Sequence, residues 1–270
     1  MHITYVQNSL AEMQRSCIYI LKQIPLRTLH LHSAQQRFWL LHLVLPILLV
    51  VLMMFIYPHT GLDAWLIRPF YDTQTLVFPL KKDGFLENIM HQGLKNLMIV
   101  VSLITFSLWL FGLKIWQSKR TSQAKTTWIH TYHNQFLWVF VAMIFATSLI
   151  TVLKHFSNHA CPWNLLIYGG RQPLISLFDN LPVGAVAGHC FPGGHASAGF
   201  ALMAFHFGFR DTLPKLAKTA LLIGLVFGTT MGYAQMMRGA HFMSHNLWTA
   251  LIVWIVLLAQ YLIWKPKSAS

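Results

Sequence analysis

Of 270 residues, 55% are hydrophobic and only 10% charged, and lysine plus arginine outnumber aspartate plus glutamate 20 to 7. Soluble domains carry roughly a quarter charged residues, so this composition excludes the ordinary soluble classes and indicates a membrane protein. The net charge of +13 calls for no nucleic-acid partner, because anionic lipid at the inner leaflet attracts the same basic segments.

Residues 1–38 precede the first apolar stretch. They lack a compact apolar core followed by a small-residue cleavage site, so they do not read as a removable signal. Residues 9–24 mix apolar and basic side chains and end at Pro25, which suits an interfacial helix. Apolar stretches then follow at 39–57, 96–116, 135–153, 196–209, 217–237 and 246–264. Most approach the ~20 residues that cross ~30 Å of hydrocarbon, and the fourth is the shortest and most interrupted.

Basic residues cluster before the first stretch (Arg15, Lys22, Arg27, Arg37), after the second (Lys114, Lys119, Arg120, Lys125), after the fourth (Arg210, Lys215, Lys218) and after the last (Lys265, Lys267). The positive-inside rule makes these four regions cytoplasmic, with both termini inside and the connections near 58–95 and 154–195 outside. The fold class read from this is an all-α integral membrane protein of six transmembrane helices with an N-terminal interfacial segment. Its predicted organisation is a cytoplasmic or interfacial segment at 1–38, a six-helix membrane domain at 39–264 and a cytoplasmic tail at 265–270.

The first outer connection holds Asp63, Arg68, Asp72, Lys81, Lys82, Asp83, Glu87, His91 and Lys95, and its run from Phe85 to His91 can form a helix feeding the second span. The second holds Gly169, Gly170, Pro162, Pro173 and Pro182 and reads as an ordered lid. Cys17 falls inside and stays reduced. Cys161 and Cys190 bracket the lid, where they either pair, closing a loop of roughly 30 residues worth ~3 kcal/mol, or remain free thiols.

Three segments carry chemistry. Lys154 ends the third span, followed by His155, His159, Cys161 and Pro162. Pro192-Gly193-Gly194-His195 opens the fourth: glycines let backbone approach a ligand closely, and a helix start offers unpaired N–H groups to an anion. Arg238, His241 and His245 lie at the start of the last span, where spacings of three and four put side chains on one helical face. An arginine buried at the end of a span is costly unless it is paired. Each segment alone also has an ordinary reading, as boundary anchor, turn or snorkelling arginine.

Together they resemble the type-2 phosphatidic acid phosphatase superfamily. Its pattern is a lysine, six residues and Arg-Pro; Pro-Ser-Gly-His; and an arginine, five residues, a histidine, three residues and an aspartate. Here the first motif reads Lys154, six residues, Cys161-Pro162, and the second Pro192-Gly193-Gly194-His195. The third, anchored on Gly239-Ala240-His241, puts Gln235 at the arginine and His245 at the aspartate. A competing register starts at Arg238, makes His245 the nucleophile and puts Thr249 at the aspartate.

The resemblance implies a phosphatase or phosphotransferase of phosphorylated lipids at the periplasmic face of a bacterial inner membrane, without a cofactor. It implies His241 as nucleophile forming a phosphohistidine, His195 as general acid and base, and His245 orienting His241. Lys154, Gly193, Gly194 and Arg238 would bind phosphate. Arg171, Gln235 and His91, and Lys81, Lys82 and Lys95 of the first outer connection, are further candidates for the missing groups. Asp63, Asp72 and Asp179 are candidates for the missing carboxylate. Two other readings stay open: a zinc site on His241, His245, His195 and His189, and a degenerate member that binds or transports phospholipid.

Overall fold

The computed structural model describes residues 34–113 and 128–267. The expected interfacial helix at 9–24 and Cys17 lie outside the described residues. The chain divides into two units, Met1–Val44 and Leu45–Ser270. In the first, helix α1 (Ala34–Trp39) runs into a π-helical turn, Leu40–Val44, whose His42 ring stacks on Phe38 with centroids 4.6 Å apart.

In the second unit every named element among the described residues is helical. Helix α2 (Leu45–Phe55) is followed by the first connection, which carries the short α3 (Leu62–Ile67). A π-helical stretch, Leu86–Gly93, then leads into α4 (Leu94–Gly112), so the expected Phe85–His91 helix is the opening turn of a span. Then come α5 (Trp128–His155), α6 (Gly194–Phe200), α7 (Ala204–Phe209), α8 (Pro214–Met237) and α9 (Met243–Ile263).

Five helical segments are long and apolar enough to cross a bilayer: Gln35–His59, Leu86–Gly112, Trp128–His155, Pro214–Met237 and Met243–Ile263. The sixth expected span, 196–209, does not reach that length. It is broken into α6, a 3-10 turn at Ala201–Met203, and α7, and the polar run Arg210-Asp211-Thr212 follows. It nevertheless lies along α5 in the opposite direction. At one end Gly194 sits beside Lys154, whose Nζ is 3.7 Å from where a Cβ would stand. At the other end Phe209 meets Phe136 with ring centroids 5.3 Å apart. The broken segment therefore covers most of the depth that α5 covers.

Small residues make this packing possible. A Cβ on Gly199 would come within 2.6 Å of the Gly228 backbone nitrogen, so α6 and α8 touch backbone to backbone, as apposed membrane helices do through small side chains. Trp138, Phe207, Met203, Met231 and Leu257 fill the interior beside that contact. Outward-facing side chains such as Leu103, Ile104, Leu222 and Val226 stay exposed and apolar, as lipid contact requires.

Above one end of the helices the two long connections share an apolar core of Ile67, Phe78, Ala160, Leu165, Met236 and Phe242. The base of the lid is tied by backbone bonds from Gly188, His189 and Cys190 to the carbonyls of Asn158, Ser157 and His159. A disulfide joins Cys161 to Cys190, 29 residues apart. Closing a loop of that length stabilises by about 3 kcal/mol in the chain-entropy account. Cys161→Ser is therefore expected to lower the melting midpoint of the detergent-solubilised protein, and an unchanged midpoint would show that the surrounding backbone bonds suffice.

Candidate active site

Helix α8 ends at Met237, and Gly239 then takes a left-handed φ of 74°, a conformation that costs glycine little. The turn is closed by Ala240 N–H donating to Gln235 O at 2.9 Å. This reversal puts His241 in the turn between α8 and α9, not on the helical face that its spacing from His245 suggests. The two rings meet all the same. His241 Nδ1 lies 3.3 Å from His245 Nδ1, and both residues are buried. One nitrogen of that contact carries the proton and the other accepts it.

The disulfide packs against the same ring, with Cys190 Sγ 3.6 Å from His241 Nδ1, and the Cys190 backbone hydrogen-bonds His241. Burial above all, then the charges of His245, Lys154 and His195, hold the His241 ring well below the usual histidine range. The imidazole is thus kept neutral, the form with a lone pair to donate.

Lys154, in the last turn of α5, reaches over the start of α6 at Gly194. Gly193 faces the other way. Its N–H donates to the His245 carbonyl at 3.3 Å, and its own carbonyl accepts from Thr249 Oγ1 at 3.2 Å. The second motif is thereby clamped to α9, which commits the Gly193 N–H and leaves those of the following residues at the start of α6. Thr249, the aspartate position of the competing register, is occupied with this clamp.

His195 is half-buried, and its Nε2–H donates to the Met90 carbonyl at 3.2 Å.

Arg238 is buried and committed. Its Nε and Nη2 donate to the Lys81 carbonyl, each at 3.2 Å, and Nη1 donates to Gln235 Oε1 at 3.3 Å. Nη2 also pairs with the Glu87 carboxylate. Glu87 in turn meets His91 Nδ1 at 3.3 Å, and the His91 and His195 rings lie 4.3 Å apart. Glu87 was not among the residues expected from sequence. Two signals could have found it: a buried arginine needs an anion, and Glu87 stands four residues before His91.

Of the remaining candidates, Gln235 is buried beside Arg238 with its Nε2 unpaired, and the Arg171 side chain is exposed on the lid. None of the three candidate aspartates takes the carboxylate's place beside His241. Asp63 accepts from Ser244 N–H and Tyr57 OH, both at 2.9 Å, capping α9. Asp72 holds its own turn through Gln74 and Thr75, and Asp179 accepts from Ser176 N–H.

The ligand atoms of Cys190, His241 and His245 lie within 4.8 Å of one another. The Cys190 sulfur is bonded to Cys161 and so offers no thiolate. His189 stacks on His155. Two histidines fall short of the three protein ligands of a catalytic zinc. A cavity of about 620 Å³ lies behind the pair, walled by His245, Trp248, Met54 and Phe178 but not by Lys154, His195 or His241. Its wall also carries Asp63, His159 and Asp179, so it is a mixed hollow that those three residues do not line.

The family model of the PAP2 superfamily matches residues 135–268. The chain belongs to the PAP2 superfamily. The match takes in Lys154, the lid, Gly193–His195 and the His241–His245 pair, and begins after Glu87, His91 and Lys95. PAP2 proteins are phosphatases, which makes a phosphoric ester the class of substrate, and the apolar helices agree with a PAP2 protein of the membrane. No curated protein and no solved structure matches the chain.

Proposed function

We propose that this PAP2 protein removes or transfers the phosphate of a phosphorylated membrane lipid through a phosphohistidine on His241. The observation that carries the proposal is that Lys154, at the end of α5, and His195, at the start of α6, both lie near enough to the His245-paired His241 to bear on its charge. With His241 Nδ1–H donated to His245, Nε2 holds the lone pair and attacks phosphorus. The bond from phosphorus to the leaving oxygen breaks, and His195 gives that oxygen its proton. A bound phosphate dianion raises the proton affinity of His195 towards this role.

In the second step His195 takes a proton from water, whose oxygen attacks phosphorus. The N–P bond breaks and His241 is restored. A lipid hydroxyl in place of water makes the same step a transfer. Dividing the reaction gives two lower barriers in place of one. Lys154 and the first N–H groups of α6 hold the equatorial oxygens, where charge stabilisation is the main catalytic term.

His245 replaces the family's aspartate as a neutral acceptor, fixing the tautomer of His241 with less stabilisation of the imidazolium. Arg238 acts at one remove, through the loop it anchors and the charge His195 feels. We read the broken 194–209 segment as a sixth crossing; the basic residues flanking the spans support a site on the periplasmic face of a bacterial inner membrane, with both termini in the cytoplasm. Purified protein given long-chain lipid monophosphates in mixed micelles is expected to release orthophosphate. No release from any of them would overturn the proposal.

A further inference from the structure

One end of the disulfide lies against the histidine pair. Cys190 Sγ is 3.6 Å from His241 Nδ1, and His241 Nδ1 is 3.3 Å from His245 Nδ1. All three residues are buried, and their ligand atoms lie within 4.8 Å of one another. A tetrahedral zinc ion, with Zn–N of about 2.05 Å and Zn–S of about 2.3 Å, sets its ligand atoms about 3.3 Å apart for N to N and about 3.6 Å for N to S. The contacts His241 makes to His245 and Cys190 already have those lengths. What withholds the site is the bond from Cys190 to Cys161, since it is the thiolate that ligates metal.

Cutting that bond leaves Cys190 where it is. Its N–H donates to the His159 carbonyl at 2.9 Å, and three residues on the Gly193 N–H donates to the His245 carbonyl at 3.3 Å. The Ala240 carbonyl, 3.0 Å from Sγ, is a ready acceptor for the freed thiol. Cys161 is the partly exposed end of the bond and Cys190 the buried one. A dithiol reductant therefore attacks Cys161 Sγ. The S–S bond breaks and its electron pair leaves on Cys190 as a thiolate. The reductant's second thiol then displaces Cys161 as a thiol and closes the reductant's own disulfide.

We infer that Cys190, His241 and His245 form a redox-gated zinc site, closed by the disulfide and opened by its reduction, with water in the fourth position. Zinc takes the Cys190 thiolate and the Nδ1 lone pairs of both histidines. The proton that His241 carried on Nδ1 then resides on Nε2, the nitrogen that attacks phosphorus in the reading above. The bound metal thus switches the nucleophile off. This switching part rests on the phosphohistidine reading; the metal site does not.

The test uses oxidised wild type, wild type reduced with dithiol and freed of it, and Cys161→Ser, which keeps Cys190 as a free thiol. Each is stripped with chelator, freed of it, and titrated with Co²⁺ and Zn²⁺. The reduced protein and Cys161→Ser are expected to bind one zinc about 100-fold or more tighter than the oxidised protein, because removing even an outer-shell partner costs 10–100-fold. Their cobalt forms should show thiolate-to-metal absorption in the near ultraviolet. Adding Cys190→Ser or His245→Gln to Cys161→Ser should return binding to the oxidised level. One equivalent of zinc should lower orthophosphate release from a lipid monophosphate at least tenfold in the reduced protein, chelator should restore it, and the oxidised protein should not respond. Equal affinity in the oxidised and reduced forms, or a cobalt spectrum without the thiolate band, would overturn the site. Zinc bound with no loss of turnover would overturn the switch. Protein that binds zinc as described yet releases no phosphate without it would instead overturn the phosphatase reading.

Discussion

Replacing His241 with alanine is expected to abolish phosphate release, lowering kcat by roughly 10⁴-fold or more, the scale on which loss of a nucleophile acts. The reason is local. His241 is held by a left-handed Gly239 on one side and by His245 and Cys190 on the other, and burial keeps its ring neutral. Neither Lys154, a cation, nor Cys190, locked in the disulfide, can take over. The lost side chain leaves a small void beneath the lid, so the variant should still extract and purify like the wild type. Near wild-type turnover in that variant would remove His241 from the chemistry.

His195→Ala is expected to lower turnover of a lipid monophosphate by about 10²–10⁴-fold, the range for a general acid or base. Its effect should depend on the leaving group. An alkoxide needs the proton that His195 supplies, whereas p-nitrophenolate does not. With p-nitrophenyl phosphate the first step should therefore recover, and the second, which needs His195 to activate water, should not. The expected signature is a burst of p-nitrophenol close to one equivalent, followed by slow turnover. Equal losses on both substrates with no burst would contradict the two-step role.

Much of the molecule is legible in the chain because the signals are local. Five of the apolar stretches correspond to helices long enough to cross a bilayer, and hydropathy needs no partner to be read. The 196–209 stretch was harder, since its length is limited by the polar run at Arg210 and its helix breaks at the 3-10 turn. The motif spacings pointed to Lys154, His195, His241 and His245, which the fold does bring together. The shared helical face did not hold for His241, because Gly239 reverses the chain before α9 begins.

What was illegible depends on long-range pairing. Arg238 and Glu87 are 151 residues apart, and no periodicity links them. Asp63 was weighed as a partner for the nucleophile, yet it serves Ser244 N–H at the head of α9. Either use of a carboxylate fits the sequence equally well. The first connection thus enters the account as structure, through Phe78 against Gly239 and Arg238 against Lys81, where sequence alone offered a short helix and unplaced charged candidates.

The central claim is a phosphohistidine on His241. The most direct measurement is to quench the protein in alkali during turnover of a lipid phosphate labelled in its terminal phosphate, digest it, and locate the label by fragmentation of the peptide that contains both His241 and His245. The account predicts one alkali-stable, acid-labile phosphate on His241, increased by His195→Ala with an activated substrate. Label on His245 would establish the competing register, and sustained turnover with no labelled histidine would contradict the mechanism.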